Sequence, residues 1–185
     1  MEDATRQIFA KYAALLEARN ASINLVSRRS GLHDMWKRHF EDSLSLLPYV
    51  RVPAADVGSG AGFPALVLAI MGAPVVACVV EDKRKAEFLR EIVALYDLKI
   101  EVLQARVQDV RREFPLIIGR AFAPLGKFLE LTSGMRGAGT RYALLKGARV
   151  TEEIAAAEKS WRFDYELHEK TGGYVLTLSG VSPRK

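Results

Sequence analysis

The sequence predicts an α/β protein with a doubly wound, mostly parallel sheet. From about residue 50, short β-branched runs alternate with amphipathic helical runs, a rhythm typical of parallel sheets. The first strand candidate leads directly into a glycine-rich turn. Two late strand candidates flank Gly172-Gly173, which indicates a hairpin and an antiparallel edge. We therefore expect one compact unit, with a helical extension over residues 1–49 and the sheet over residues 50–185.

The helical extension is predicted from the spacing of its apolar residues. Between Ile8 and Leu16 these residues recur on one face of a helix, while charged residues fall mostly on the other side. A second helix is expected over residues 34–47, with Pro48 as its end. Both helices are expected to pack in front of the sheet.

The alternating region has seven strand candidates and four helix candidates. Each strand candidate is short and carries apolar residues, some alternating with polar ones, and each helix candidate carries an apolar face. The strands are expected at residues 55–57, 75–80, 100–103, 116–118, 142–145, 163–167 and 174–178, and the helices at 64–71, 83–96, 125–132 and 151–160.

Composition excludes several classes of protein. The chain has 185 residues, 49% of them hydrophobic, which is enough for a core without covalent staples. One cysteine, Cys78, allows neither a disulfide framework nor a cysteine zinc cage, and with three histidines no metal site is expected. Residues 57–80 carry no charge, but their glycines and prolines indicate loop, buried helix and strand and not a membrane span. The mixed charge of the first residues predicts a cytoplasmic protein.

The most informative motif follows the first strand candidate. Asp56 precedes a GxGxG loop formed by Gly58, Gly60 and Gly62. The dinucleotide fingerprint has its third glycine one residue later, and no Lys-Ser or Lys-Thr follows, so neither that motif nor a P-loop fits. A GxGxG loop behind an acidic residue is common among proteins that bind S-adenosylmethionine, a ligand with no pyrophosphate. The alternative is a tight turn that binds nothing.

The ends of the next two strands provide further candidates for the ligand. Glu81 lies 23 residues after Gly58, close to the spacing expected of a ribose-binding carboxylate, and Asp82 is the rival for that role. Residues 104–109 follow the third strand, where an adenine pocket is expected. For each of these residues the alternative is an ordinary surface loop.

Five blocks in order resemble one family, the bacterial small-subunit rRNA methyltransferase G family, also called glucose-inhibited division protein B. The blocks are residues 23–27 (INLVS), 38–44 (RHFEDSL), the glycine loop, 120–125 (RAFAPL) and 145–147 (LKG). The resemblance runs from about Tyr12 to the end of the chain. It implies the class I S-adenosylmethionine-dependent methyltransferase fold and methylation of N7 of one guanosine in 16S rRNA.

The resemblance also implies a set of cofactor contacts. They carry over onto Gly58, Phe63, Val107, Gln108 and Arg120, and Gly60 and Glu81 join them from the motif reasoning above. The family often has Glu at the position of Gln108, and its strand-two acid sits one place earlier than Glu81 does in this chain.

No catalytic dyad is evident, and the implied reaction needs none. Guanine N7 has a lone pair in the ring plane and no proton to remove, so alignment and desolvation can supply most of the rate. His39 and Asp42 are three residues apart on a helix and can touch, either structurally or at the site. The catalytic residues therefore stay unknown.

The partner implied by the resemblance is 16S rRNA or the small ribosomal subunit. A net charge of +5 permits a polyanionic partner. Each candidate cation has solvated surface charge as its alternative reading. Candidates for RNA contact are Arg28, Arg29, Lys37, Arg38, His39, Lys83, Arg84, Lys85 and Lys146.

Two other functions remain open from the sequence. A methyltransferase of the same fold acting on a small molecule or a protein is the first, and basicity and the helical extension weigh against it. An rRNA-binding module without catalysis is the second, and the intact glycine loop weighs against it. Nothing in the sequence demands a dimer, so a monomer is expected.

Overall fold

The computed structural model describes residues 3–26 and 36–184. In that part of the chain a single sheet of seven strands forms the centre. The strands are β1 (Ala54–Val57), β2 (Val75–Val80), β3 (Glu101–Gln104), β4 (Leu116–Arg120), β5 (Arg141–Lys146), β6 (Trp161–Lys170) and β7 (Gly173–Pro183). The helices are α1 (Asp3–Ile23), α2 (Asp42–Leu44), α3 (Ala65–Ile70), α4 (Lys83–Leu95), α5 (Leu125–Leu131) and α6 (Val150–Ala157).

The strand order confirms the predicted fold class. The order is β3-β2-β1-β4-β5-β7-β6, with the first five strands parallel and β7 antiparallel to both of its neighbours. From β1 the chain proceeds outward to β2 and β3, and from β4 it proceeds the other way. The crevice between β1 and β4 is therefore the topological switch point, where ligands bind in open α/β sheets.

The final hairpin forms where the two glycines predict it. Lys170 pairs with Gly173, and Gly172 and Gly173 adopt φ angles of +78° and +155°, which only glycine adopts readily. Both strands are longer than expected, because a register shift between Arg162 and Asp164 lets the pairing continue to Pro183.

The prediction of one regular helix over residues 34–47 is wrong. The described part of this stretch is a π-helical segment, Trp36–Glu41, followed by α2 and then by a 3₁₀ turn, Leu47–Tyr49. The Ser43 hydroxyl donates to the His39 carbonyl at 2.5 Å, and such bonds compete with regular helical pairing. Pro48 does not end the segment, since proline is tolerated in the first turn of a helix, where its missing N–H has no acceptor to lose.

The two faces of the sheet carry different helices. One face packs on α1, α3 and α4 through side chains such as Phe9, Leu66 and Leu89, all fully buried. The other face packs on α5 and α6 through side chains such as Phe128 and Ile154. Because the core continues on both faces, the carboxyl ends of the parallel strands are held as one rigid edge.

The helical extension reaches the glycine loop directly. Tyr12 of α1 is fully buried, and its hydroxyl donates to the Ala61 carbonyl at 2.5 Å. Its ring stacks on Phe63 at 5.6 Å and meets Phe40 edge-on at the same distance. The extension thus shares the core of the sheet, and its Tyr12 side chain packs against the glycine loop.

Candidate active site

The glycine loop lies at the carboxyl end of β1, beside the switch point. Gly58, Gly60 and Gly62 have φ angles of +72°, +54° and +95°, a region that other residues rarely adopt. The Gly58 N–H donates to the Val79 carbonyl at 3.0 Å, which joins the loop to β2. The Ser59 hydroxyl donates to the Asp56 carbonyl at 3.1 Å. The loop is therefore a rigid backbone surface.

The three glycines meet different surroundings. A Cβ on Gly58 would overlap the ring of Phe122, and one on Gly62 would overlap the Tyr12 hydroxyl. A Cβ on Gly60 would meet only the Gly58 carbonyl oxygen, at 3.7 Å. The sequence predicts that all three let a ligand approach the backbone. In the structure the space beside Gly60 is open, whereas Gly58 and Gly62 make room for aromatic side chains of the protein itself.

Asp56 is a buried carboxylate beneath this loop. It is fully buried, and neither of its oxygens has a hydrogen-bond partner within the described residues. Burial raises the pKa of Asp56 from its ordinary value near 3.8 to about 7, and the nearby Ser59 hydroxyl, the backbone of Ala65 and Val57 and the Arg120 charge oppose this shift. A buried carboxylate beneath an open backbone surface fits a ligand that brings positive charge close to it.

Glu81 and Asp82, the two candidates for binding the ribose, have different surroundings at the end of β2. Asp82 is the N-cap of α4 and accepts the Lys85 N–H at 3.1 Å, a bond that lowers the pKa of Asp82. Glu81 stays exposed at the strand end, where Arg106 Nε lies 3.0 Å from its carboxylate. Asp82 thus has a helix-capping role, and Glu81 is the acid left at the carboxyl edge of the sheet.

The segment after β3 forms a 3₁₀ turn, Val107–Asp109. Val107 is buried against the sheet, whereas Gln108 is exposed, with its carbonyl accepting from Arg111. The turn follows β3, so it lies on the same edge of the sheet as Glu81 and the glycine loop.

Phe63 belongs to the core rather than to an open surface. Its side chain is buried, and its ring stacks on Tyr12 and on His39 at 5.0 Å. Any contact with a ligand at this position therefore has to come from its backbone.

Arg120 lies at the end of β4 and joins the extension to the sheet. Its Nη2 is 2.8 Å from His39 Nδ1, its Nη1 is 3.8 Å from Asp42 Oδ2, and its guanidinium lies 5.4 Å from the centre of the Phe63 ring. Lys170 of β6 pairs with the same Asp42. Burial lowers the pKa of Arg120, and the Asp42 carboxylate acts against that shift. The cluster holds the guanidinium in place at the switch point.

A cavity of about 730 Å³ opens next to this cluster. It is within the size range of ligand sites. Besides Arg120, His39 and Asp42, its lining follows β4 and β5 and includes the start of α6. These further residues are Ala121, Phe122, Ala123, Pro124, Leu145, Lys146, Gly147, Arg149, Glu153, Lys170 and Gly172.

Lys146 is placed differently from the other candidates for RNA contact. Its ammonium group is nearly buried, 2.7 Å from Glu153 Oε2 and 3.3 Å from the Ala123 carbonyl. Lys83 and Arg84 are exposed at the start of α4, near Glu87 and Asp82. His39 is turned inward onto Arg120 and Phe63. Arg28 and Arg29, and the side chains of Lys37 and Arg38, lie outside the described residues.

Sequence reasoning missed three residues of this cavity. Phe122 stands within the block at residues 120–125, but nothing in the pattern marks it as exposed. Glu153 lies in the first turn of α6, where the sequence pattern indicates only the start of a helix and no role in a site. Lys170 pairs with Asp42, which is 128 residues away in the sequence, and no local sequence pattern predicts a contact over such a separation.

Neither a metal cluster nor a membrane-spanning helix is found within residues 3–26 and 36–184. These residues contain no group of three or more His, Cys, Asp or Glu side chains placed to hold a metal ion. Within the same ranges, no helix has both the length and the apolar character needed to cross a membrane.

Comparison with protein families matches residues 5–176 to a family described as rRNA small subunit methyltransferase G. Proteins named ribosomal RNA small subunit methyltransferase G from Rhodospirillum rubrum and Orientia tsutsugamushi are 40% and 38% identical to this chain. The first alignment covers 92% of this chain and 88% of the relative, and the second covers 87% and 82%.

Solved structures share the fold at low identity. A magnesium protoporphyrin IX methyltransferase from Synechocystis superposes with a TM-score of 0.61 at 10% identity, covering 94% of this chain and 97% of that one. A ribosomal protein L11 methylase from Lactobacillus delbrueckii gives 0.59 at 19% identity, covering 80% and 79%. The sheet is therefore that of the class I methyltransferases.

Proposed function

This chain belongs to the rRNA small subunit methyltransferase G family, and on that premise we propose that it transfers a methyl group from S-adenosylmethionine to N7 of a guanosine in 16S rRNA. The family match supports the rRNA substrate. One observation supports the chemistry: the glycine loop at the switch point combines an open backbone at Gly60 with a buried carboxylate, Asp56, beneath it.

The residues at this edge fit S-adenosylmethionine. Asp56 supplies negative charge beneath the loop, close to where the ammonium and sulfonium groups of the ligand are proposed to lie. Gly60 offers bare backbone, and Glu81, exposed at the end of β2, is proposed to accept from the ribose hydroxyls. Val107 and Gln108 form the turn proposed to hold the adenine, and Arg120 is proposed to bind the methionine carboxylate with its planar fork of N–H donors.

The chemistry is a direct displacement. When bound, the sulfonium supplies an activated methyl group, whose bond to sulfur breaks as the bond to N7 forms, so that the positive charge passes to the base. The chain's own contribution is to align and to exclude water: the aromatic side chains beneath the loop keep it rigid, and the Asp56 carboxylate stabilises positive charge nearby. No side chain has to remove a proton.

The partner is 16S rRNA or the small ribosomal subunit, and we place the reaction in the cytoplasm with the protein as a monomer. Lys83 and Arg84 are exposed at the edge that carries the cofactor residues, which suits contact with phosphates. Lys146 is held by Glu153, so its role is inside the cavity and not on the RNA backbone.

The test is to map N7-methylguanosine in 16S rRNA from cells with and without this protein, and then to add the purified protein and S-adenosylmethionine to small subunits from the deficient cells. We expect one N7-methylguanosine to be missing and then restored. Methylation of a protein or a small molecule with unchanged rRNA would overturn the rRNA assignment, and failure to bind S-adenosylmethionine in calorimetry would overturn the enzymatic one.

A further inference from the structure

The proposed function does not say which residues hold the target base. The cavity at the ends of β4 and β5 is the candidate for that role. The proposed cofactor residues other than Arg120 occupy the β1–β3 half of the carboxyl edge. This cavity occupies the other half, across the switch point, and Arg120 lies between the two. We propose that the cavity receives the target guanine, with Phe122 stacking on its ring and Glu153 accepting hydrogen bonds from its N1–H and 2-amino groups. This inference rests on the proposed function and specifies its substrate subsite.

Phe122 is placed at the border between the two halves. Its ring packs directly over Gly58, and it meets Phe128 edge-on at 6.1 Å. Even so, 40% of its surface is exposed, which is unusual for phenylalanine, and few other large apolar side chains are exposed in the part of the chain that the structure describes. A base extruded from RNA needs such an aromatic surface to replace the stacking that it loses.

The residue before Phe122 has a strained backbone, at the point where the chain turns the Phe122 ring toward solvent. Ala121 has a φ angle of +48°, a left-handed conformation that is costly for residues other than glycine, asparagine and aspartate. Strain of this kind persists at ligand sites because the surroundings enforce it. The Gly58 contact and the start of α5 hold the ring in the cavity wall.

Glu153 lines the same cavity as Phe122 and supplies the proposed acceptor. Its Oε2 accepts the Leu125 N–H at 2.9 Å and the Lys146 ammonium at 2.7 Å. No hydrogen bond engages its Oε1 among the residues that the structure describes, and the side chain is 28% exposed. The carboxylate is thus oriented by two donors, and Glu153 lines the cavity with one carboxylate oxygen that makes none of these bonds.

This acceptor matches guanine and opposes adenine. Guanine has two adjacent donors on its Watson–Crick edge, N1–H and the 2-amino group, whereas adenine has an acceptor at N1. A carboxylate is an acceptor only, so it attracts the first edge and repels the second. Recognition on this edge also leaves N7, on the other side of the base, open to the methyl donor.

The experiment compares small subunits assembled with guanosine or inosine at the methylated position. Inosine keeps N7 and N1–H but lacks the 2-amino group. For the unaltered protein we expect kcat/KM to be at least tenfold higher with guanosine. In Glu153→Gln the amide oxygen keeps its two donors and the NH₂ group faces the base. We therefore expect guanosine methylation to fall at least tenfold and the preference over inosine to vanish.

Two further measurements separate recognition from folding. Glu153→Gln should keep its affinity for S-adenosylmethionine, and Glu130→Gln, which alters a similar lysine pair on the exposed side of α5, should change nothing. The tryptophan introduced by Phe122→Trp should lose fluorescence when the RNA binds, and Phe122→Leu should raise KM for RNA several-fold.

The outcomes distinguish this inference from the proposed function. If the unaltered protein methylates no guanosine, the proposed function is wrong. If it methylates guanosine but Glu153→Gln keeps the preference for guanosine over inosine, or if the fluorescence of Phe122→Trp is unaffected by RNA, the base is held elsewhere and this inference is overturned.

Discussion

At the carboxyl ends of β1 and β2 the site is made mostly of backbone, whereas at the ends of β4 and β5 it is made of charged and aromatic side chains. The first half consists of a glycine loop over one buried carboxylate. The second half consists of Arg120, Lys146 and Glu153 with their partners. Both halves lie on one rigid edge, so the contrast lies in the means of recognition and not in their rigidity.

The difference predicts what each half can tolerate. A backbone surface loses its ligand when any atom is added to it, because the ligand touches the main chain itself. A side-chain surface can be altered one group at a time, with graded losses and altered specificity. The cofactor half should therefore respond to substitution in an all-or-none manner, and the cavity half in steps.

The largest effect is expected for Gly60→Val. The new side chain would stand in the open space where the loop meets its ligand. We expect affinity for S-adenosylmethionine to fall by roughly 100-fold or more, which is about 3 kcal/mol, as measured by calorimetry. The left-handed backbone adds a stability cost of about 1–2 kcal/mol.

Gly72→Val is the matched control for that strain. Gly72 also has a positive φ, +81°, and a Cβ at this position would have nothing within 4 Å, but it lies in the turn between α3 and β2. It should lower the melting temperature as Gly60→Val does and leave the affinity unchanged. Equal affinities for the two variants would show that the loop does not contact the ligand.

The contrast also explains how much of the site the sequence predicts. The fold class, the order of the strands and the loop follow from local patterns: apolar periodicity, a three-glycine motif and a two-glycine turn. Local patterns also place Glu81 and Asp82 but do not separate them. The capping bond from Asp82 to the Lys85 N–H does so, and it appears only in the folded chain.

The cavity half is hidden from sequence reasoning because its contacts join distant parts of the chain. Arg120 meets His39 across 81 residues, and Lys146 forms its ion pair only when α6 packs beside β5. For the same reason the sequence does not show that the side chains of Lys146, a candidate for RNA contact, and Phe63, a candidate for cofactor contact, are nearly buried. Exposure is set by tertiary packing, and residue type alone does not report it.

A second, smaller effect is expected for Arg120→Lys, which touches both halves. Lysine keeps the charge but loses the planar fork that can serve His39, Asp42 and a carboxylate together. We expect S-adenosylmethionine to bind more weakly by roughly 1–3 kcal/mol. Asp42→Asn is the control, because it disrupts the ion pair without removing the guanidinium. If both variants weaken binding equally, Arg120 acts only as a support for the cluster.

The most specific pH signature is expected for Asp56→Asn. Each pKa unit corresponds to about 1.4 kcal/mol, so raising the pKa from near 3.8 to about 7 costs the folded protein roughly 4 kcal/mol once the carboxylate is ionised. In the ligand-free protein, the stability that the protonated group provides is complete below pH 4 and is lost as the pH rises to about 7, because the unfolded chain ionises first. Asparagine never ionises.

The advantage of Asp56→Asn over the unaltered protein in free energy of unfolding should therefore grow between pH 4 and pH 7 and then level off, as measured by urea denaturation at several pH values. S-adenosylmethionine should narrow this difference, since the ligand's positive charge favours the ionised carboxylate. The unaltered protein should bind it more tightly at pH 8 than at pH 6, whereas the variant should bind weakly and equally at both. Asp97→Asn, at an exposed carboxylate, should do neither. A pH-independent stability difference between Asp56→Asn and the unaltered protein would mean that Asp56 is already ionised and partnered in the ligand-free fold, and the cofactor half would then owe its affinity to the backbone alone.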